Sequence, residues 1–427
     1  MKKKWELNRY SFWDITGMEQ HLEKMARKGW MLEKVSNLGL VYEKKEPQEV
    51  RFAVVYTPEH SNFDPGPDEG QETLAEMCAY DGWTLAGQRD QLMVFRNDDP
   101  EAVDIDTDPV AQVEGLERVS KRDVRVYWLM LALLGGLLWM TSFSLRLNCI
   151  ELLSNAAQLV YLLVGLVLLV YVAAELVGWY RWRRKARIVA REQGEFLPTR
   201  GNHMILHGAI VLAVLGVVYI ALTRSRPGLG LAMLGFGVMY AVIMAVINAV
   251  RHGLQKRGAE WHINVMTVGA VALVLVSVFF VGQRWALSEL MEPVEKEPRL
   301  TAEMLVGEKN EAASFQHQTS WLVSREEYKE GGIGSDFSYL AVDIRLPVLW
   351  DMCQEEMMNR YEGWGGRWEY QKTDSAPWQA EEAWQLHRND KAQEIYLLRW
   401  GQRLVEVNFP SGFDQSQREA VVAAFGK

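Results

Sequence analysis

The chain has 427 residues, enough for about three domains. A formal net charge of −9 argues against nucleic acid as a main partner, and three cysteines with no CxxC or metal spacing exclude a disulfide framework. A mean hydropathy of −0.12 suits a large soluble protein, yet the apolar residues are concentrated in the middle third.

The first hundred residues repeat themselves. "LEKMARKGWML" (Leu22 to Leu32) returns about fifty residues later as "LAEMCAYDGWTL" (Leu74 to Leu85), with Leu, Met, Gly-Trp and Leu in the same order. The first copy runs from the strand-like "KWELNRY" into a helix carrying Ile15, Met18, Leu22 and Met25 at 3–4 spacing, with Asp14 as N-cap. Two alternating stretches follow, "WMLEKVS" and "LGLVYEK", joined by a turn at Asn37. The second copy starts at "VRFAVVY", crosses a loop rich in Asn, Asp, Pro and Gly, forms the helix around Leu74 and Met77, and ends in "WTLAGQ" and "LMVFRN". Each copy therefore reads as strand–helix–strand–strand, a duplicated βαββ domain over residues 1–100. Gly29 and Gly82 fit the left-handed position that stops a helix, and Trp30 and Trp83 begin the next strand as core residues rather than ligand clamps. Lys2 to Lys4 are basic, but no apolar stretch follows to make a signal peptide, so this domain is expected to stay in the cytoplasm.

Residues 101–125 read as a linker, first acidic and then basic. "DIDTD" (Asp104 to Asp108) starts like a calcium loop, but Pro109 stands where Gly is needed and Gly115 where Glu is needed. Five apolar runs then span 126–282: 126–145, 157–180, 204–222, 229–250 and 263–282. Each approaches the roughly 20 helical residues that cross a bilayer core. Lys and Arg crowd the flanks on one side, most densely at Arg181–Arg200, which puts the N-terminus inside and, after five crossings, the C-terminus outside. That basic run also suits anionic lipid, and charge contact with the acidic stretches Asp64–Glu72 and Asp98–Asp108 is expected.

Glu175 is the single charged residue within these runs and so the one candidate for intramembrane ion or proton work, although Trp179 and Tyr180 lie about a turn away. Gly237, Ala241, Ala245 and Ala249 repeat at four-residue spacing, a stripe that lets another helix of this or a second chain approach, with Ile243 on the opposite side. His203 and His207 share a helix face without further ligands and read as interfacial.

Residues 283–337 read as linker and helix, and the Gly-rich "EGGIGSD" (Glu330 to Asp336) lacks the lysine of a phosphate loop. Residues 338–427 read as an external α+β domain: a strand at "YLAVDIRL", a helix at "VLWDMCQEEMMNRYEG", a strand at "WQLHR", a hairpin of "EIYLLRW" and "RLVEVNF" about Gly401-Gln402, and a last helix capped by Asp414. No catalytic set appears. A pairing of Cys149 with Cys353 stays open.

The segments "MEQHLEKMARKGWMLEKV", "LVYEK", "YDGWTL" and "MVFRN" resemble an uncharacterised family of Gram-positive bacterial membrane proteins with an N-terminal domain of unknown function. The resemblance covers about a quarter of the chain and rests mainly on the Lys-Gly-Trp helix end followed by a strand. It implies transmembrane helices downstream. Because members are often encoded beside PadR-type transcriptional regulators, it also implies a regulatory or stress-linked role. It brings no catalytic residues.

The expectation is thus a multi-domain plasma-membrane protein with a cytoplasmic α+β domain, a five-helix transmembrane bundle and an external α+β domain. It is expected to act as a sensor or regulator without enzymatic chemistry or cofactor. Its partners are the bilayer and a second protein or copy, with no nucleic acid. The competing expectation is a transport component that uses Glu175.

Overall fold

The computed structural model describes residues 2–7, 10–36, 39–57, 69–89, 91–105, 108–201, 203–222, 227–290, 297–307, 313–330, 337–363 and 365–426. The turn expected at Asn37 and the Gly-rich stretch 331–336 lie outside them, as do the side chains of His203 and His207. The chain forms two compact units. The first is Met1–Gly136 with Val164–Ala213 and Leu234–Ala286; the second is Leu137–Leu163 with Val214–Met233 and Leu287–Lys427.

In the first unit the duplication is visible in the backbone. β1 (Lys3–Leu7), α1 (Ile15–Arg27), β2 (Trp30–Val35) and β3 (Gly39–Lys44) form one copy; β4 (Arg51–Tyr56), α2 (Glu69–Tyr80), β5 (Thr84–Arg89) and β6 (Leu92–Asn97) form the other. Each makes a three-stranded antiparallel sheet with its last strand in the centre, β1-β3-β2 and β4-β6-β5. Both helices stop at a glycine with positive φ, +74° at Gly29 and +79° at Gly82, a conformation open to residues without Cβ. Both post-helix strands also shift register at the same place, between Leu32 and Lys34 and between Leu85 and Gly87. A bulge repeated at one position is a stronger mark of duplication than the Gly-Trp pair itself. The tryptophans differ, however. Trp83 is core, with its Nε1–H on the Val103 carbonyl at 3.1 Å, whereas Trp30 is half-buried with the Lys44 ammonium 5.1 Å from its ring centre.

The apolar runs lie in α3 (Pro109–Leu147), α5 (Ala156–Glu192), α6 (His203–Leu222), α7 (Pro227–Lys256) and α8 (Trp261–Leu290), with the short α4 (Cys149–Ser154) between α3 and α5. Among the described residues three helices are long and apolar enough to cross a membrane: Pro109–Leu145, Ala156–Glu192 and Gly237–Lys256. The expected linker 101–125 is helical from Pro109 onward, because Val113 and Leu116 recur at helical spacing and find a buried partner surface. On α7 the stripe Gly237, Ala241, Ala245 and Ala249 is exposed, and Ile243 is buried. The side opposite the stripe, at Ile243, is thus the packed one.

The second unit is built on one seven-stranded antiparallel sheet of order β10-β11-β12-β13-β9-β8-β7. In chain order its elements are α9 (Ala302–Val306), β7 (Ala313–Thr319), β8 (Val323–Glu330), β9 (Ser338–Ile344), α10 (Trp350–Met358), β10 (Trp368–Lys372), β11 (Glu382–Arg388), β12 (Lys391–Trp400), β13 (Arg403–Asn408) and α11 (Gln415–Phe425). The expected boundary at residue 338 is too late: β7 and β8 belong to the same sheet. The β11–β12 hairpin turns through Asn389 and Asp390 at φ +48° and +63°, the two positive values a type I′ turn needs. Alternation sends Tyr339, Ala341, Val405 and Val407 to the face covered by α11 and Trp378. Leu340, Val342, Ile344 and Leu404 point to the other face. There α10 supplies Cys353 and Met357, and α4 supplies Cys149, Ile150, Leu152 and Leu153. The connector between α3 and α5 is thus part of this domain's core.

Candidate functional site

In the first unit Glu175 is fully buried, at 0% exposure, and is met by the segment just before α1. Asp14 caps α1 by accepting from Gly17 N–H at 3.1 Å, which fixes the turn Ser11–Asp14 and turns Trp13 toward α5. There Trp13 Nε1–H donates to Glu175 Oε2 at 3.0 Å. The ring lies 6.2 Å from Trp179 and 5.8 Å from Trp182, which stack on each other at 5.5 Å, and Phe12 contacts Tyr127 and Trp179. Trp182 donates to the Leu197 carbonyl at 3.0 Å. Thr16 and Thr199 exchange two bonds, each backbone N–H on the other's hydroxyl, at 2.8 and 3.1 Å. The one candidate for intramembrane ion or proton work here accepts a hydrogen bond inside an aromatic cluster.

The basic run after this cluster is partly used within the chain. Arg183 donates to Glu117 of α3 at 2.9 Å, and Arg187 pairs with the same carboxylate, while Arg181, Arg184, Lys185 and Arg191 are exposed. The acidic stretch around Asp98–Asp108 has other partners: Arg51 holds Asp104 at 2.6 Å and Arg96 holds Asp98 at 3.0 Å. Residues 58–68 lie outside the described residues, so most of the other acidic stretch is untouched by this.

The second unit holds a cavity of about 850 Å³ lined by residues of α4, β8 and α10, among them Cys149, Arg325, Met352, Glu356 and Arg360. Beside it runs a buried charged network. Glu406 accepts from Tyr361 at 3.1 Å and Tyr370 at 2.8 Å, and Arg360 bridges it to Glu327. Burial would raise the Glu327 carboxyl, but Lys329, Arg325 and Arg360 hold it below its ordinary range. Burial beside Glu406 raises both tyrosines, so they stay protonated donors. Glu327 and Glu406 are thus each met by cationic or hydroxyl partners inside the fold.

Sequence reading singled out Glu175 but missed Trp13, whose only signal is an aromatic pair, Phe12-Trp13, directly before a capping Asp. It left Cys149 and Cys353 open; the structure brings them together, buried, their thiols hydrogen-bonded.

Neither the curated proteins nor the solved structures contain a match to the chain. Residues 14–131 match a family described as a protein of unknown function, DUF2812, which covers α1 through the first part of α3, and with them the Trp13-adjacent cap Asp14 and both Gly-Trp signals.

Proposed function

We propose that this is a multi-pass plasma-membrane protein that senses or regulates, coupling an external C-terminal domain to a cytoplasmic N-terminal domain through the hairpin α3–α4–α5. One observation carries the reading: the same two helices end in the cores of both soluble domains. Trp13 and the Thr16–Thr199 pair fasten the N-terminal domain to α5 and the segment after it, and α4 between the helices lies in the core of the C-terminal sheet domain. In this reading all five apolar helices cross the bilayer, the exposed cations of Arg181–Arg200 contact anionic lipid, and the small-residue face of α7 is left for a second copy or partner. No enzymatic step is assigned.

The test perturbs one end and reads the other. Leu153→Asp places a charge in the C-terminal core, and amide exchange at Thr16 and along α1 should rise in the full-length protein in lipid nanodiscs. Unchanged protection there, with the C-terminal domain visibly loosened, rejects the coupling. Orientation is read separately with Arg184→Cys and Glu303→Cys: impermeant maleimide on intact cells should label the second only.

Transport is the second reading, favoured by a wholly buried carboxylate in an apolar helix. If Glu175→Gln abolishes substrate flux in vesicles while both domains stay folded, transport replaces coupling.

A further inference from the structure

We propose that Cys149 and Cys353 are a redox pair that closes an intramolecular disulfide between α4 and α10. The two side chains hydrogen-bond to each other and sit in one apolar cluster, at 2% and 0% exposure. Their approach is fixed by independent bonds. Ile150 N–H donates to Glu356 Oε2 at 2.8 Å, one helical turn beyond Cys353, and Cys149 Sγ lies 3.5 Å from the Met352 carbonyl oxygen. At the other end of α4, Ser320 Oγ–H donates to the Leu153 carbonyl at 2.5 Å. α4 is therefore clamped at both ends, and its first residue faces the α10 thiol.

The two thiols are not equivalent. Donation to Cys353, then burial and the Glu356 carboxylate, raise Cys149, so it keeps its proton; the same bond, received, holds Cys353 below its ordinary value against its own burial. The thiolate is the attacking species in exchange, which makes Cys353 the first nucleophile. The co-reactant is a disulfide, RSSR, from a small thiol or a protein. Cys353 sulfur attacks it, forming a mixed disulfide and releasing RS⁻. Cys149 then gives up its proton and attacks the Cys353 sulfur, expelling the second RS⁻. The pair loses two electrons and two protons, and RSSR becomes two RSH. Cys149, Met352 and Glu356 line the cavity described above, so an oxidant reaches the Cys149 side of the pair and meets Cys353 when α10 opens locally. The bond would tie the connector of α3 and α5 covalently to the helix covering the sheet. On the external side proposed above such bonds persist, since thiols there are not held reduced.

The chemistry is tested without assuming a side. Full-length protein in detergent is equilibrated in glutathione buffers of increasing oxidised fraction, quenched, denatured and labelled with a polymer-tagged maleimide. Cys78, buried in the N-terminal domain, is the internal control. The two thiols should vanish together while one remains, with a linked peptide joining Cys149 to Cys353 and no glutathione adduct. Cys149→Ser and Cys353→Ser should each stop at a glutathione adduct or at free thiol, with no linked peptide. Wild-type protein that keeps three free thiols, or a stable adduct on either cysteine, at the most oxidising ratio overturns the proposal. The wild-type linked peptide decides even if a variant fails to fold.

Discussion

The two copies of the βαββ unit share a backbone and differ in what they bury. α1 buries Met18, Leu22, Met25 and Ala26, whereas α2 buries only Gln71 and Cys78 and leaves Met77 62% and Tyr80 91% exposed. The reason is that α1 works across the copies. Phe52 and Val54 of β4 belong to its cluster, and its Glu19 and Glu23 carboxylates accept from Val54 N–H at 2.8 Å and Phe52 N–H at 3.5 Å. β4 is the open edge of the second sheet, and an edge left with free N–H groups invites another chain, so α1 closes it. The difference teaches that duplication copies the local devices, the glycine stop and the bulge. Burial is then assigned by partners that each copy meets separately.

The largest effect should break the apparent equivalence of the two tryptophans. Trp83→Ala removes a wholly buried ring and should cost about 3–5 kcal/mol, while Trp30→Ala, at a half-buried rim, should cost about half as much. Cys78 packs in the same cluster as Trp83 and gives a direct readout. Its labelling rate in native protein should rise a hundredfold or more in Trp83→Ala, and far less in Trp30→Ala. Equal rates would return both rings to one role.

This pair also shows how much the sequence could carry. Helix stops, strand order within each copy and the Asp14 and Asp414 caps follow from local chemistry and were legible. Trp83 is inside because α2 and the segment at Ala102 close over it, a contact no spacing encodes. In the C-terminal domain β8 reads "VSREEYKE", charged like an exposed helix. Its Glu326, Glu327 and Glu330 are nonetheless buried, because Arg299, Arg325, Arg360, Tyr328 and Tyr339 pair with them. A strand satisfied by distant partners hides its own burial pattern, which is why the boundary was placed at residue 338. The pairing of Cys149 with Cys353 stayed open for the same reason, its members lying in α4 and α10. Glu175 was legible as an oddity, but its partner Trp13 lies 162 positions away.

The next effect sharpens the edge-closing role of α1. Burial, together with the charges of Glu23 and Asp104, pushes the Glu19 carboxyl up to about 7 from an ordinary value of 4.5. The folded state then holds this proton more tightly than the unfolded chain. Glu19 therefore costs nothing below 4.5, destabilises progressively as pH rises toward about 7, and levels off above. The full shift corresponds to about 3 kcal/mol at most, reduced by whatever water reaches its exposed side. Glu19→Gln keeps an oxygen for the Val54 N–H without the charge, so stability of the variant should be flat across this window and exceed wild type at pH 8. A wild-type curve without that slope would mean the carboxylate is well solvated and β4 is closed by packing alone.

The smallest effect tests the hydrogen-bonded attachment of the first copy to α5. Trp13→Phe keeps most of the apolar contact with Trp179 and Trp182 but deletes the N–H on Glu175. Deleting the donor to a buried acceptor costs about 1–3 kcal/mol, and Glu175 sits where water cannot replace the donor. Part of the loss returns because Thr16 and Thr199 still hold the same junction through two bonds. We therefore expect about 1–2 kcal/mol, seen as faster amide exchange at Thr16, Thr199 and the first turn of α1. β5 and β6 should keep their protection, whereas β4 touches the junction through Tyr56 and should loosen slightly at that end. Glu175→Gln should act in the same place but cost less, since an amide oxygen still accepts from Trp13. If Trp13→Phe instead loosens both copies equally, the two halves unfold as one unit, and the asymmetry between them is one of burial without energetic consequence.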